Sequence, residues 1–331
     1  MRRLWPSIGN TGGMELYFAP MEGVTGYIYR QVHHAVFSGA DEYWAPFIAP
    51  DSAGKFKAGS MREVLPENND GIKLIPQVLA NNPEAFLTVA RELEAMGYRE
   101  VNLNAGCPSG TVFAKHKGAG MLTDAAALDA FLDTVFSRCP IAVSVKTRLG
   151  AEKTDEFERL LEVYGKYPFS RVIVHTRCRS GMYKSPTSPE SFAPALELFG
   201  KRACYNGNIT DVNKYNALVQ MYPALASLML GRGLAANPAL ARQLRGGGRL
   251  ERDELKQFHD TLVDRTLSSG LCEVYTVGRM KELWFYMSSM FVNCEKQVKA
   301  IKKAKHIDEY NAAVNALFSS CEFDGSAAFP V

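Results

Sequence analysis

Short apolar runs of strand length alternate with amphipathic helical stretches, and this alternation is the feature that most limits how the chain can fold. Eight such runs occupy residues 15–19, 42–45, 73–79, 100–104, 141–146, 171–175, 202–206 and 227–230. Between them, Asn82 followed by Pro83 predicts one helix start, and Thr210 predicts another. Alternating strands and helices are typical of α/β folds with a parallel sheet. Eight units favour a closed (β/α)8 TIM barrel over an open doubly wound sheet, which needs no particular strand number.

The pattern changes after Leu244, where Arg245 and Arg249 enclose three glycines. This stretch is typical of a flexible linker, because glycine-rich segments keep no fixed conformation. Beyond it apolar residues recur at helical spacing, which predicts a small all-α helical bundle. The predicted organisation is a poorly ordered leader over 1–13, a catalytic barrel over 14–244 and a helical domain over 245–331.

The composition fits a folded intracellular protein. The 331 residues are 47% hydrophobic and 22% charged, which excludes general disorder, and the net charge of +3 is too small to indicate a polyanion partner. The seven cysteines include no CxxC pair, so a disulfide framework or a zinc site is not expected. No signal peptide or membrane span is apparent. We expect a cytoplasmic, monomeric protein without a membrane or metal partner.

Polar residues and glycines gather late in the predicted strands or just after them. In a TIM barrel these ends meet at one face and build the active site. The candidate residues are Ala19, Pro20, Met21, Gln77, Asn104, Cys107, Lys146, Arg148, His175, Arg177, Asn206, Gly207, Asn208, Gly231 and Arg232.

Cys107 lies between Gly106 and Pro108, just past the fourth predicted strand. Most cysteines are small buried apolar residues, but a Gly-Cys-Pro loop offers the thiol to the barrel mouth. A free thiol has a pKa of about 8.5 and is mostly protonated at neutral pH. Since no base lies nearby in the sequence, Cys107 is better suited to donate a proton than to act as a nucleophile.

Two glycine-containing loops follow the seventh and eighth strands, at 206–208 and 231–233. These are the loops that commonly bind phosphate in barrel enzymes, and Arg232 adds positive charge. Ordinary turns use the same residues, so turns that bind no ligand are the alternative. Lys146 indicates an anionic partner, or else an ion pair with a barrel carboxylate. His175 and Gln77 could also be polar residues of the barrel interior.

These motifs, in this order, resemble those of the tRNA-dihydrouridine synthases. The matching segments are 19–25, 104–108 with Lys115 and 118–120 downstream, 146–148, 175–177 with Tyr183, 206–208 and 231–232. The segment around Gly106-Cys107-Pro108 is specific, whereas the glycine pairs are not. Two positions depart from the family pattern: Asn208 replaces a frequent Asp, and Asn102 stands where an acidic residue is frequent.

The resemblance implies a flavoprotein oxidoreductase with bound FMN. The residues implied to hold FMN are Ala19, Pro20, Met21, Gln77, Asn104, Lys146, His175, Asn206, Gly207, Asn208, Gly231 and Arg232. NADPH or NADH would reduce the flavin. Hydride would then pass to C6 of a uridine, and Cys107 would give a proton to C5.

The substrate implied is a uridine in the D-loop region of tRNA, which must leave its stack to reach a barrel mouth. The residues implied to contact tRNA are Lys115, Arg148, Arg177, Tyr183 and Lys281. The lysines between 296 and 305 fit either RNA contacts or a solvated helix face. Two other functions stay open: an FMN barrel reductase of a free pyrimidine or enone, and a catalytically silent RNA-binding barrel.

Overall fold

A parallel sheet of nine strands encloses the centre of the molecule, as a computed structural model of residues 13–51, 54–55, 58–182 and 185–330 shows. The sheet order is β3-β2-β1-β9-β8-β7-β6-β5-β4. The strands are β1 Glu15–Phe18, β2 Glu42–Trp44, β3 Leu74–Ile75, β4 Gln77–Val78, β5 Glu100–Ala105, β6 Ala142–Gly150, β7 Val172–Cys178, β8 Ala203–Asn206 and β9 Ser227–Leu230. The chain is thus a nearly closed TIM-type barrel, which confirms the predicted fold class.

Pro76 explains why eight predicted strands become nine. It separates β3, which pairs with β2, from β4, which pairs with β5. Proline has no backbone N–H to donate to a neighbouring strand, so the ladder breaks there. Its carbonyl still accepts the Asn102 amide at 2.9 Å. The third predicted run is therefore one strand in two pieces.

Helices follow most of the strands and cover the outside of the barrel. They are α1 Tyr27–Val36, α2 Ala58–Arg62, α3 Pro83–Ala95, α4 Gly110–Phe113, α5 Ala125–Arg138, α6 Glu156–Tyr164, α7 Ala193–Phe199, α8 Val212–Met221, α9 Arg232–Ala236 and α10 Leu240–Leu244. Asn82 caps α3 as predicted, because its side chain accepts the Ala85 amide at 3.0 Å. The prediction for Thr210 is wrong: Asp211 caps α8 by accepting the Lys214 amide at 2.9 Å.

Short 3-10 helices complete the connections, at Pro66–Asn69, Gly118–Thr123, Pro189–Phe192, Gly200–Arg202 and Ser288–Met290. The barrel interior is filled by a separate layer of apolar side chains: Tyr17, Ala19, Trp44, Ile75, Ile173, Cys204 and Met229. Below that layer, at the amino ends of the strands, Arg171 forms ion pairs with Glu42 and Glu100. The mouth and the floor of the barrel are therefore separated by apolar packing.

Four helices form most of the C-terminal region: α11 Arg252–Ser268, α12 Glu273–Met287, α13 Glu295–Lys303 and α14 Ile307–Ser320. An antiparallel pair of two-residue strands, β10 Phe291–Val292 and β11 Glu322–Phe323, is an addition to the predicted helices. The region packs on the barrel through Phe258 of α11, whose ring lies 5.4 Å from Tyr29 and 5.3 Å from Phe37. Aromatic contacts of this kind favour a fixed arrangement of the two parts.

The segment 245–249 is bound to its neighbours, unlike the flexible linker that its glycines predict. Arg242 donates to the carbonyls of Gly248 at 3.1 Å and Arg249 at 3.0 Å, and Arg245 donates to Gly39 at 2.9 Å. Arg242 and Arg245, which precede the three glycines, thus tie this segment to itself and to the loop at Gly39. Of the predicted leader, residues 1–12 lie outside the described residues, and the domain boundary at 244 stays a prediction.

Candidate active site

Strand register brings the predicted polar residues together at the carboxyl end of the barrel. Asn104 on β5 is the register partner of Lys146 on β6, Arg148 of His175 on β7, and His175 of Asn206 on β8. Side chains at alternate positions of a barrel strand face inward. One continuous polar surface therefore lines the mouth on this side.

A chain of buried amides leads to Cys107. Gln77 donates to Asn102 Oδ1 at 2.7 Å, and Asn104 donates to Gln77 Oε1 at 2.8 Å. Asn104 Oδ1 in turn accepts the backbone amides of Cys107 at 2.9 Å and Gly106 at 3.1 Å. Gln77, which the resemblance assigns to the cofactor, therefore also supports the cysteine loop from below.

The loop that carries Cys107 is closely packed on its other side. Gly118 has a φ of +57°, and a Cβ there would lie 2.9 Å from Cys107 Cβ. The Ala119 amide donates to the Cys107 carbonyl at 3.1 Å, and Arg148 Nε donates to the Gly106 carbonyl at 2.7 Å. Glycine is needed at 118 because the positive φ and the lack of space both exclude a side chain. The backbone of the Cys107 loop is thus held in one position.

Burial favours the protonated form of the Cys107 thiol. Burial raises its pKa above the ordinary value, and this outweighs the opposing effects of the Ser109 backbone and of Arg148 and Lys146. The side chain is only half-buried, so it can still meet a substrate. A neutral, accessible thiol is a proton donor at neutral pH.

Four basic side chains surround His175: Lys146, Arg148, Arg177 and Arg232. Burial first, and then these charges, lower the pKa of His175 well below its usual value. Arg177 Nη1 lies 3.3 Å from His175 Nε2. Because a guanidinium can only donate, Nε2 is the acceptor and His175 is neutral. The contact with Arg177 also fits the alternative, in which His175 is an interior histidine with its hydrogen bond made within the protein.

Lys146 has no carboxylate partner and no hydrogen bond among the residues that the structure describes. Burial, followed by repulsion from Arg148, lowers its pKa to about 7. The alternative of an ion pair with a barrel carboxylate is therefore not seen in this part of the chain. An anionic group bound beside Nζ would restore the charged form.

Asn208, in the loop after β8, holds Arg177 of β7 and Arg232, which follows β9. Its Oδ1 accepts Arg232 Nη2 at 2.6 Å and Arg177 Nη1 at 3.1 Å. An aspartate here would neutralise one positive charge, whereas the amide leaves both in place. Asn206 donates to the Met229 carbonyl at 2.8 Å. Asn208 thus binds both arginines without adding a negative charge.

Gly207 and Gly231 differ in the space around them. A Cβ on Gly207 would collide with the Tyr205 ring, whereas one on Gly231 would meet only Ala19 Cβ at 3.6 Å and Met21 Sδ at 4.0 Å. The segment from Ala19 to Met21 therefore lies beside Gly231, as expected for the ends of the neighbouring strands β1 and β9. Pro20, in the middle of this segment, is half-exposed.

The residues predicted to contact tRNA occupy different environments. Lys115 is exposed on the loop after Cys107, but Arg148 and Arg177 are each only 2% exposed. Lys281 on α12 donates to the Ala304 carbonyl at the end of α13. Tyr183 lies outside the described residues. Lys115 is thus at the surface of the mouth, while Arg148 and Arg177 lie beneath it.

Sequence reasoning missed Arg279, which connects the C-terminal region to the mouth. Arg279 Nη1 donates to the Gly23 carbonyl in the loop after β1, and Arg279 Nε donates to Tyr275 Oη at 2.9 Å. No sequence signal could reveal it, because the bonded residues are 256 positions apart.

Two other kinds of feature are absent from the described ranges. No helix there is both long and apolar enough to cross a membrane. In the same part of the chain, no three His, Cys, Asp or Glu side chains are grouped as metal ligands.

Comparison with known proteins finds relatives over most of the chain. The tRNA-dihydrouridine(16) synthase of Aquipseudomonas alcaligenes is 28% identical over 287 residues, which cover 83% of this chain and 90% of that protein. A probable tRNA-dihydrouridine synthase of Staphylococcus aureus is 29% identical over 257 residues, covering 75% of this chain and 76% of that one.

Among solved structures, morphinone reductase superposes with a TM-score of 0.52 at 12% identity, over 74% of this chain and 88% of that one. This likeness shows the barrel fold alone. The model of the family described as "Dihydrouridine synthase (Dus)" matches residues 17–322. With nearly the whole chain matched, and with the motifs that carry the resemblance gathered at one barrel mouth, the chain belongs to the dihydrouridine synthase family.

Proposed function

We propose that this chain reduces a uridine of tRNA to dihydrouridine at the barrel mouth, with Cys107 as the proton donor. The family and the named relatives support the activity and make the chain an oxidoreductase. The observation that carries the proposed mechanism is the placement of Cys107: its backbone is bound to Asn104, and its thiol, whose pKa burial raises, lies beside the positive charge of Arg148 and Lys146. Relatives named for uridine 16 make that position of tRNA the first to test.

The residues present fit a bound FMN. Lys146 lacks a protein acceptor among the described residues, and Arg177 and Arg232 share one amide oxygen near Gly231. Such a surface suits an anionic ligand with a phosphate group, because arginines and open glycine loops bind phosphate. We assign Arg232, Gly231 and the segment 206–208 to the phosphate, and Lys146 to the flavin ring. Gln77 and Asn104 would border that ring, and His175 would accept or donate one hydrogen bond.

The reaction adds a hydride and a proton across the C5–C6 double bond of the uracil. Bound FMN would supply the hydride that forms the new C6–H bond, with NADPH or NADH as the external reductant. Cys107 gives its proton to C5, so the S–H bond breaks as the C5–H bond forms. The thiolate left behind lies near Arg148 and Lys146, which stabilise its charge, and solvent returns the proton.

The RNA must reach this mouth with its target base unstacked. Lys115, exposed beside the Cys107 loop, is placed to contact a phosphate. Exposed lysines also lie on α13 and just after it: Lys296, Lys299, Lys302, Lys303 and Lys305. They give the C-terminal region a positive surface of its own. For Arg148, which holds the Gly106 carbonyl, we propose support of the cysteine loop in place of direct RNA contact.

The test is an assay of the purified full-length chain. The protein-bound chromophore is identified after heat release, and dihydrouridine is then measured in unmodified tRNA with NADPH or NADH. We expect FMN and reduction of tRNA. Reduction of free uracil but not of tRNA would favour a free-pyrimidine reductase, and RNA binding without a flavin would favour a silent barrel.

A further inference from the structure

The C-terminal segment returns from the helices to the barrel and packs beside the proposed phosphate corner. After β11, the Asp324 amide donates to the Met290 carbonyl at 2.9 Å. The Gly325 carbonyl then accepts Gln243 Nε2 at 3.1 Å and Asn237 Nδ2 at 3.3 Å. A Cβ on Gly325 would collide with the Leu250 carbonyl, so the segment approaches the barrel as closely as a backbone can. These contacts fix the chain at 324–325, shortly before its last aromatic residue.

That residue, Phe329, is only 5% exposed although it lies near the end of the chain. Its ring centroid is 5.7 Å from that of Phe285 and 5.4 Å from that of Tyr286, both on α12. On another side, the guanidinium carbon of Arg232 lies 5.9 Å from the Phe329 ring centroid. The aromatic cluster on α12 therefore places one ring against an arginine of the barrel.

Arg232 is thus held from two directions. Asn208 Oδ1 accepts a hydrogen bond from it at 2.6 Å, and Phe329 offers the face of a ring. An aromatic face attracts a guanidinium and limits its orientation, yet it provides no acceptor that could compete with a phosphate oxygen. Fixing a binding group before the ligand arrives increases affinity, because less freedom is lost on binding.

We propose that Phe329 is a positioning residue that orients Arg232 toward the phosphate of the bound flavin, so that the C-terminal segment forms part of the cofactor site. The proposal rests on the proposed function, which places that phosphate near Arg232. It assigns to the C-terminal region a task in cofactor binding in addition to its place beside the RNA.

The test compares FMN with riboflavin, which has the same ring system but no phosphate. The full-length chain is stripped of flavin, and the dissociation constant of each ligand is measured by quenching of flavin fluorescence. We expect Phe329→Leu to weaken FMN binding about three- to tenfold and to leave riboflavin binding unchanged. Phe329→Trp keeps an aromatic face and should retain the preference for FMN. Phe323→Leu, in the same segment but packed on Phe291 at 5.2 Å, is the matched control and should change neither constant.

The possible outcomes distinguish a failure of this proposal from a failure of the proposed function on which it rests. An equal loss for both ligands in Phe329→Leu would mean a general disturbance of the fold and would overturn the proposal, as would an unchanged FMN preference. If Phe329→Leu does not fold, Phe329→Trp tests the proposal instead. A loss of the preference for FMN over riboflavin in that variant would contradict the role of the aromatic face. A wild-type chain that binds neither flavin contradicts the proposed function itself, and the proposal with it.

Discussion

The side-chain oxygen of Asn104 accepts the backbone amide of Cys107 at 2.9 Å, and this bond fixes the cysteine backbone relative to the barrel. The same amide group donates to Gln77 at 2.8 Å, so the position of the loop depends on a residue of the barrel wall. The backbone of the proposed proton donor is therefore positioned by side chains of β4 and β5.

Replacement of Asn104 by alanine tests this support. Asn104→Ala leaves the amides of Gly106 and Cys107 and the oxygen of Gln77 without their partner. We expect a loss of about 1–3 kcal/mol in the free energy of unfolding and a slower reduction of tRNA. Denaturant unfolding and single-turnover kinetics measure the two effects. Asn213→Ala, at an exposed position of α8, is the control, and equal stability of the two variants would refute the support.

Cys107→Ala removes the proposed proton donor. We expect reduction of tRNA to slow about 10²-fold, as the loss of a general acid does, with FMN binding intact. Rates are measured as dihydrouridine formed per bound flavin. Cys272→Ala removes an exposed thiol on the C-terminal region and should have full activity. Full activity of Cys107→Ala would remove Cys107 from its role.

The pH dependence of FMN binding tests Lys146. Its pKa of about 7 in the free chain will rise when an anionic ligand binds, so binding takes up a proton above that pH. Affinity should therefore fall as the pH rises above about 7. The FMN phosphate also titrates, so the comparison is with Lys146→Met, which should bind more weakly and lack the fall. Identical pH profiles of the two proteins would contradict the assignment.

Arg171 supports the floor of the barrel, far from the chemistry. It pairs with Glu42, which is almost fully buried, and with Glu100 at 2.6 Å. Arg171→Met leaves buried negative charge and should cost about 3 kcal/mol of unfolding free energy, without changing the rate per folded molecule. The surface pair of Arg138 and Glu84 offers a control, because Arg138→Met should cost less than about 1 kcal/mol. A similar loss in both variants would contradict the role of burial.

The barrel was predictable because its signals are local. Eight apolar runs, the Asn82 cap and helical spacing in the C-terminal region each depend on neighbouring residues, and the structure confirms them. The division at Pro76 was not foreseen because it concerns which strands pair on either side of the proline. The error at Thr210 was local: Asp211, one position on, competes for the same cap and wins.

The candidate site was predictable as a set of residues but not as a network. The TIM-barrel rule places strand ends at one face, so Cys107, Lys146 and His175 could be grouped from sequence. Their partners could not, because contacts such as that of Arg232 with Phe329 join residues far apart in the chain. The burial of Arg148 was equally invisible, since an arginine at a strand end can point outward or beneath a loop.

The most direct test of the central claim is a map of dihydrouridine in tRNA from cells that lack this chain and any redundant relative. We predict that dihydrouridine disappears from one position in the D-loop region, that the wild-type chain restores it, and that Cys107→Ala restores little or none. Unchanged dihydrouridine at every position in the deletion strain would contradict the claim.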